Sequence, residues 1–230
     1  MNELFSASVF SGVLLSLGAF EIGLFLKRKL KKEIFNPLLI SVILVILFLT
    51  VFRIDYSAYE KSSKILTLLL TPATVSLAVP LYEEFRILKK NPVAILLGIL
   101  SGVLASLGGI LLLSLVFSLS HSEYVTLLPK SVTTAIGMPL SSEYGGYSSI
   151  TVAAIIITGI FGNMTAELVM KVFRIKSPVA KGVAIGTASH AIGTAKAVEM
   201  GSVEGAVSSL SLVISGLVTI IVFGLFSTFI

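Results

Sequence analysis

The chain reads PATVSLAV at residues 72–79 and PKSVTTAI at residues 129–136, and both stretches follow the pattern P-x-(S/T)-V-(S/T)-x-A-(V/I). Proline suits the first turn of a helix, and hydroxyl side chains can bond loose backbone groups inside a membrane. We therefore predict that Pro72 and Pro129 each begin a half-helix within the bilayer, as parts of an internal repeat. Interrupted hydrophobic segments of this kind point to a transporter binding site. The alternative is a chance similarity between two closely packing, small-residue helices.

The composition indicates an integral membrane protein. Of the 230 residues, 55% are hydrophobic and 13% are charged, whereas a soluble domain carries about 25% charged residues. The long apolar runs do not alternate with polar residues, as the strands of a membrane barrel would. The predicted fold class is all-α: a polytopic transmembrane helical bundle with discontinuous helices, broken or re-entrant, in the inner (plasma) membrane.

The predicted organisation divides the chain into N-terminal transmembrane helices (residues 1–64) and a core with broken helices (residues 65–230). Basic loops follow the first, third and sixth segments, and the positive-inside rule places them in the cytoplasm. The polar stretch 119–149 then enters and leaves on the outer side, unless it crosses the membrane fully. Charge counting leaves both readings open. The predicted segments cover residues 8–26, 35–52, 65–82, 92–117, 119–149, 150–172 and 206–226.

Three polar segments, residues 71–80, 129–146 and 182–204, are candidates for a binding site. Small residues let the backbone approach a ligand, hydroxyl groups offer hydrogen bonds, and helix N-termini and lysine attract anions. This combination suits a small organic anion. The candidate substrate-binding residues are Thr74, Ser76, Lys130, Ser131, Thr133, Thr134, Ser189, His190, Gly193 and Thr194.

Four charged or titratable residues are of interest, and two of them, Lys130 and His190, allow two interpretations. Lys130 is functional if it lies within the membrane, but it could instead extend to the outer interface. His190 could couple transport to protons or could simply bond a backbone carbonyl in a packed core. Glu204, which precedes the last span, is a second coupling candidate if it is buried. Glu167 is expected to pair with Lys171, four residues later on the same helix face.

Several chemistries are excluded or weakly supported. The chain contains no cysteine and only two histidines, His121 and His190, so we predict no metal site and no cofactor. Ser189 and His190 are adjacent and would face different sides of a helix, and Asp55 is the sole aspartate. We therefore predict no catalytic residues and no enzyme. The net charge of +5 is attributed to membrane topology and contact with the lipid bilayer rather than to nucleic acid.

The motifs resemble those of the LrgB/CidB family, in the family's order and over most of the chain from Leu68 onward. They read PATVSLAVPLY at residues 72–82, LPKSVTT at 128–134, HAIGTAKA at 190–197 and EGA at 204–206. One departure is Ser215-Gly216, where the family often has asparagine. The resemblance implies holin-like or antiholin-like control of murein hydrolases. It also implies kinship with carriers of pyruvate, glycolate or glycerate in bacteria and plastids, and an LrgA-type membrane partner.

The leading functional hypothesis is a secondary transporter of small monocarboxylates, of the pyruvate, glycolate/glycerate or lactate class, that works by alternating access. The alternative is a holin/antiholin-like membrane protein that regulates murein hydrolase activity and lysis. A third class is a scaffold subunit that holds the LrgA-type partner. The sequence leaves open the exact substrate, the coupling ion, the transport direction and whether the protein forms a homo-oligomer.

Overall fold

A computed structural model describes residues 5, 8, 10–30, 36–76, 82, 89, 90 and 92–230, without the side chains of Leu70, Thr71, Ala73 and Thr74. The chain divides into two compact units, Met1–Ser76 and Leu77–Ile230. The helices of the described residues are α1 (Ser11–Leu30), α2 (Pro37–Val51), α3 (Tyr56–Ser62), α4 (Lys64–Ser76), α5 (Pro92–Val116), α6 (His121–Leu127), α7 (Thr134–Glu143), α8 (Ser148–Val172), α9 (Pro178–Met200) and α10 (Ser202–Ser227).

In the first unit, α1 packs closely against α2 and α3. A side chain at Gly23 of α1 would collide with the backbone of Pro37 at the start of α2, so glycine is required for this approach. Asn36 begins α2, and its side-chain oxygen accepts hydrogen bonds from the next helical amides. The Ser16 hydroxyl lies 2.8 Å from the Tyr59 hydroxyl, which joins α1 to α3.

The prediction that Pro72 begins a helix is wrong. Pro72 lies inside α4, which starts eight residues earlier at Lys64. A proline within a helix removes one backbone hydrogen bond, and membrane helices tolerate this loss because other groups bond the freed carbonyl. The combination of a proline with hydroxyl residues therefore did not predict where α4 begins.

In the second unit, three helices are long and apolar enough to cross a membrane: α5, α8 and α10. The buried face of α5 recurs every three or four residues, and its other faces expose leucines. An apolar stripe packed inward with further apolar residues facing outward is expected of a helix in lipid. The prediction of an all-α membrane bundle is confirmed. The buried positions of α5 are Ile95, Ile99, Val103, Leu107, Ile110 and Ser114.

The second unit has two distinct ends. One end, here called the basic end, contains Lys171 in the last turn of α8 and the loop between α8 and α9 with Arg174 and Lys176. At the other end, the opposite end, the His121 ring contacts the carbonyl oxygens of Tyr144 and Ile230. The starts of α6 and α8 and the ends of α7 and α10 therefore meet at the opposite end.

Helices α6 and α7 form a hairpin that enters from the opposite end and returns to it. The His121 contact with the Tyr144 carbonyl joins the start of α6 to the end of α7. Residues 128–133 form the turn at the far tip of this α6–α7 hairpin. Thr151 of α8 donates to the Thr126 carbonyl at 3.0 Å and to the Ser141 hydroxyl at 2.7 Å, so it binds both helices of the hairpin.

Pro129 does not begin a helix, although a helix does begin within this copy of the pattern. α6 ends at Leu127, its C-cap Leu128 still has helical backbone angles, and Pro129, which has no N–H to continue the helix, comes next. The next helix, α7, starts at Thr134, and Thr133 occupies its N-cap in an extended conformation. The two octapeptide copies thus have different local structures.

Helix α9 is also discontinuous, and it reverses direction at His190, whose φ of 42° is left-handed. Gly193 lies against Ile185, although eight residues of a straight helix would separate them by about 12 Å. Gly182 and Val198 both contact the first turns of α10, near Glu204 and Gly205. Residues 178–189 and 191–200 are therefore the first and second arms of an α9 hairpin whose base lies at the basic end.

The second unit thus combines three long helices with two opposed hairpins. Neither hairpin is long enough in one direction to cross the bilayer, because an arm of about ten residues spans roughly 15 Å of a 30 Å hydrocarbon core. The predicted discontinuous helices are confirmed at residues 128–133 and at His190. Stretch 119–149 enters and leaves at one end.

Candidate functional site

The tip of the α6–α7 hairpin places an ammonium group against two hydroxyl groups. The Lys130 Nζ donates to Ser131 Oγ at 3.0 Å and to Ser106 Oγ of α5 at 3.4 Å. The Ser106 hydroxyl in turn donates to Ser131 Oγ at 2.9 Å. The side chain of Lys130 therefore points at the middle of α5 rather than toward a helix end.

The position of Ser106 gives the depth of this cluster. Ser106 lies ten residues before the last residue of α5 and fourteen after the first, which correspond to about 15 Å and 21 Å along the axis. A bilayer core is about 30 Å thick, so the cluster lies near the centre of the span. Among the described residues, no carboxylate oxygen lies within 4 Å of Lys130 Nζ.

Lys130 borders a cavity of about 420 Å³, which is within the usual range of about 300–1,000 Å³ for small-molecule sites. Its walls are α5, the α6–α7 tip and the first arm of the α9 hairpin. A neighbouring groove of about 710 Å³ shares five of its residues and extends to Ser177 at the basic end. The cavity is lined by Ser106, Lys130, Ser131, Thr187 and small residues that include Gly98 and Gly102.

On the other side of Ser131 the structure is closely packed. The space there is about 10 Å³, bordered by apolar side chains of α5 and the hairpin tip and by hydroxyl residues of α10. A void of this size holds one water molecule at most. In this conformation the Lys130 cavity is therefore open toward the basic end and closed toward the opposite end.

Thr187, on the first arm of the α9 hairpin, is a site residue that the sequence did not single out. It is 96% buried, and its hydroxyl oxygen has no hydrogen-bond partner among the residues that the structure describes. Its methyl group packs on Gly102 of α5, which is the close approach that the spacing of Gly98 and Gly102 predicts. An unpaired buried hydroxyl is costly unless a ligand or water bonds it.

The predicted residues at the tip of the α9 hairpin lie apart from this cavity. The His190 ring N–H (Nε2) donates to the Ile155 carbonyl of α8 at 3.0 Å, and the ring packs against Gly159. Ser189 packs against Gly162, and Gly193 against the first arm. Thr194 donates to the His190 carbonyl at 2.9 Å. These contacts hold the hairpin closed, and a substrate-binding role for these residues stays a prediction.

The remaining candidate residues have separate surroundings. Thr133 and Thr134 are partly buried at the start of α7, three and four residues beyond Lys130. Ser76 is exposed in the first unit, and the side chain of Thr74 lies outside the described residues. Convergence of the hydroxyl groups of both octapeptides on one cavity stays a prediction.

The carboxylates of interest lie at the basic end. Glu204 is buried in the first turn of α10, 3.8 Å from Lys181. Glu167 lies 2.7 Å from Lys196 of the second arm, but 3.9 Å from Lys171. The expected pair with Lys171 is thus present but long, and the closer partner is the buried Lys196, which the sequence argument had considered only as a positive charge near the binding site.

Comparisons with known proteins give a consistent family. The sequence model of the LrgB-like family matches residues 16–229. The chain is 38% identical over 220 residues to the "Antiholin-like protein LrgB" of Bacillus subtilis (strain 168), covering 95% of each chain. It is 36% identical to the protein of the same name from Bacillus mycoides (strain KBAB4), covering 95% of this chain and 96% of the relative. No solved structure matches the chain.

Proposed function

The chain belongs to the LrgB-like family of membrane proteins, and we propose that it is a secondary transporter of small monocarboxylates. The substrate class is that of pyruvate, glycolate or glycerate, and lactate. The observation that carries the proposal is the Lys130 ammonium group, which lies at mid-span depth beside a cavity without a carboxylate partner among the described residues. A charge at this depth is costly, and it is retained where it binds a substrate or an ion.

The chemistry of the cavity favours a small carboxylate. Lys130 supplies one positive charge, and the hydroxyl groups of Ser106, Ser131 and Thr187 supply neutral hydrogen bonds around it. One charge and few polar groups suit a single carboxylate with a short polar body. A divalent anion would leave one charge uncompensated in a low-dielectric site.

The opposed hairpins suggest the mechanism. Secondary transporters place their sites near the bilayer midplane between discontinuous helices, and alternating access moves one element against another. The basic end is cytoplasmic by the positive-inside rule, so the cavity is open inward in this conformation. We propose that movement of the α6–α7 hairpin away from α5 opens the opposite, outer side.

The names of the relatives support a second candidate function. They describe antiholin-like proteins and name no enzymatic activity. As an antiholin-like protein, the chain would control murein hydrolase activity in a multi-pass plasma-membrane assembly with an LrgA-type partner or with further copies of itself. The two functions differ in one measurable respect, because a carrier has a saturable site whereas a pore does not.

The test is uptake of labelled pyruvate, glycolate and lactate into proteoliposomes, with and without a proton or sodium gradient. We expect saturable uptake that is accelerated by unlabelled substrate on the opposite side of the membrane. Acetylated lysine and a fluorescent dye with the same charge as the substrates serve as controls for non-selective leakage across the membrane. Uptake that rises linearly with concentration and admits the dye would reject the carrier and favour a pore.

A further inference from the structure

We propose that the basic end carries a second site, separate from the Lys130 cavity, that binds a phosphate-bearing anion. The site is a cavity of about 630 Å³ between the end of α8 and the base of the α9 hairpin. This volume is in the range of about 300–1,000 Å³ for small-molecule sites. None of its lining residues borders the Lys130 cavity or the adjoining groove.

Four cationic side chains line this cavity: Lys171, Arg174, Lys176 and Lys181. Among its described lining residues the one carboxylate is that of Glu167, which is held at 2.7 Å by Lys196. Lys181 lies 3.8 Å from Glu204. In the part of the chain that the structure describes, no carboxylate lies within 4 Å of Arg174 or Lys176. The cavity therefore has an excess of positive charge.

The backbone fixes Arg174 at this site. Its φ of 54° is left-handed, a conformation that favours glycine after the end of a helix. The Arg174 amide donates to the Lys171 carbonyl at 3.2 Å, and the Ile175 amide donates to the Met170 carbonyl at 2.9 Å. These bonds occupy the last carbonyls of α8, so fewer negative dipoles point into the cavity. An arginine at a position suited to glycine is explained if its guanidinium is needed there.

The type of side chain favours phosphate over a carboxylate. A guanidinium group binds two phosphate oxygens at once, and the nearby ammonium groups of Lys171 and Lys176 can bind the remaining charge. Met170, Ile175 and Met200 add apolar surface to the same cavity. The basic end lies at the membrane surface, where anionic lipids attract such clusters. The phosphate can thus come from an anionic phospholipid headgroup or from a soluble phosphate ester.

The experiment measures binding by the purified full-length protein in a neutral detergent. The probes are dihexanoyl phosphatidylglycerol, inorganic phosphate and, as a zwitterionic comparison, dihexanoyl phosphatidylcholine. The test variant is Arg174→Gln/Lys176→Gln. The matched control, Arg28→Gln/Lys29→Gln, removes one arginine and one lysine from the last turn of α1 in the first unit. Arg174→Gly is the second test variant, because glycine suits the backbone at this position and should not disturb folding.

We expect phosphatidylglycerol or inorganic phosphate to bind, with a dissociation constant about tenfold higher or more in both test variants and unchanged in the control. Tighter binding of phosphatidylglycerol identifies a lipid site, whereas equal or tighter binding of inorganic phosphate identifies a soluble ligand. The proposal is overturned if phosphatidylcholine binds as well as both anions, if neither anion binds, or if the control weakens binding as much as the test variants.

Discussion

The contact between Gly102 of α5 and Thr187 of the α9 hairpin gives a quantitative test of how the cavity wall is built. A methyl group at Gly102 would lie 2.6 Å from Thr187 Cγ2 and 3.3 Å from Thr187 Cβ. The threonine cannot easily turn away, because a β-branched side chain has few rotamers in a helix. Overpacking of this kind costs roughly 2–3 kcal/mol, while replacing a helical glycine with alanine gains roughly 1 kcal/mol. We expect Gly102→Ala to lower the free energy of unfolding by about 1–2 kcal/mol.

The second substitution, Thr187→Ser, removes the methyl group that causes the collision and keeps the hydroxyl group. Alone it should cost about 1 kcal/mol through lost burial. In the double variant the new methyl at residue 102 occupies the space of the lost one, so the two penalties should not add. We expect a coupling energy of about 1–2 kcal/mol, measured by reversible unfolding in mixed micelles.

The control is Gly108→Ala on the same helix, since a side chain there meets no atom of the described residues within 4 Å. It should be neutral or should stabilise the protein by up to about 1 kcal/mol. Additive losses in the Gly102→Ala/Thr187→Ser variant would mean that α5 and the first arm do not touch at these residues. Equal effects of Gly102→Ala and Gly108→Ala would lead to the same conclusion.

Three further predictions concern charged and titratable groups. Glu167→Gln should lower the free energy of unfolding by about 1–3 kcal/mol, because it removes the closest partner of the buried Lys196. Lys171→Gln, which removes the exposed and longer pair, should change it by less than about 0.5 kcal/mol. Equal losses in the two variants would contradict the pairing of Glu167 with Lys196. Hydrogen bonds from the Ser120 hydroxyl and amide lower the pKa of the Glu123 carboxyl at the start of α6. Their stabilisation is therefore present above the unfolded-state pKa of Glu123 and is lost as the pH falls through its folded-state pKa. The free energy of unfolding of Glu123→Gln, measured against pH, should lack this acid-side decrease. If uptake is proton-coupled, His190→Gln should flatten the pH profile of transport more than it lowers substrate affinity. An unchanged profile would transfer the coupling role to Glu167, to Glu204 or to Glu199, which lies 3.5 Å from Lys196.

Much of the helical architecture follows from the sequence. Charge counting left open whether stretch 119–149 crosses the membrane, and the contact between the start of α6 and the end of α7 shows that it enters and leaves at one end. Apolar runs and basic loops did locate the long helices. These features are encoded locally, in the length of each run and in the charges that flank it. The role of Pro72 was not predicted correctly, because membrane helices tolerate proline when neighbouring groups compensate.

The reversal of α9 could not be predicted from local patterns. It occurs at His190 through a positive φ, which few residues other than glycine adopt, and contacts with Gly159 and Gly162 of the distant helix α8 accompany it. Gly186 and Gly193, which flank the break, were the available signal. Ser106 and Thr187 are each one of three hydroxyl residues in their helices, and only the fold selects these two by bringing them to Lys130.

The most direct test of the central claim is monocarboxylate uptake by the Lys130→Ala variant in proteoliposomes, compared with Lys130→Arg and with Lys171→Ala as an exposed control. If Lys130 holds the substrate carboxylate at mid-span, Lys130→Ala should fold as the wild type does and transport nothing. Lys130→Arg should recover part of the rate, because a guanidinium differs from an ammonium group in shape and hydration, and Lys171→Ala should transport normally. Wild-type uptake by Lys130→Ala would contradict the account.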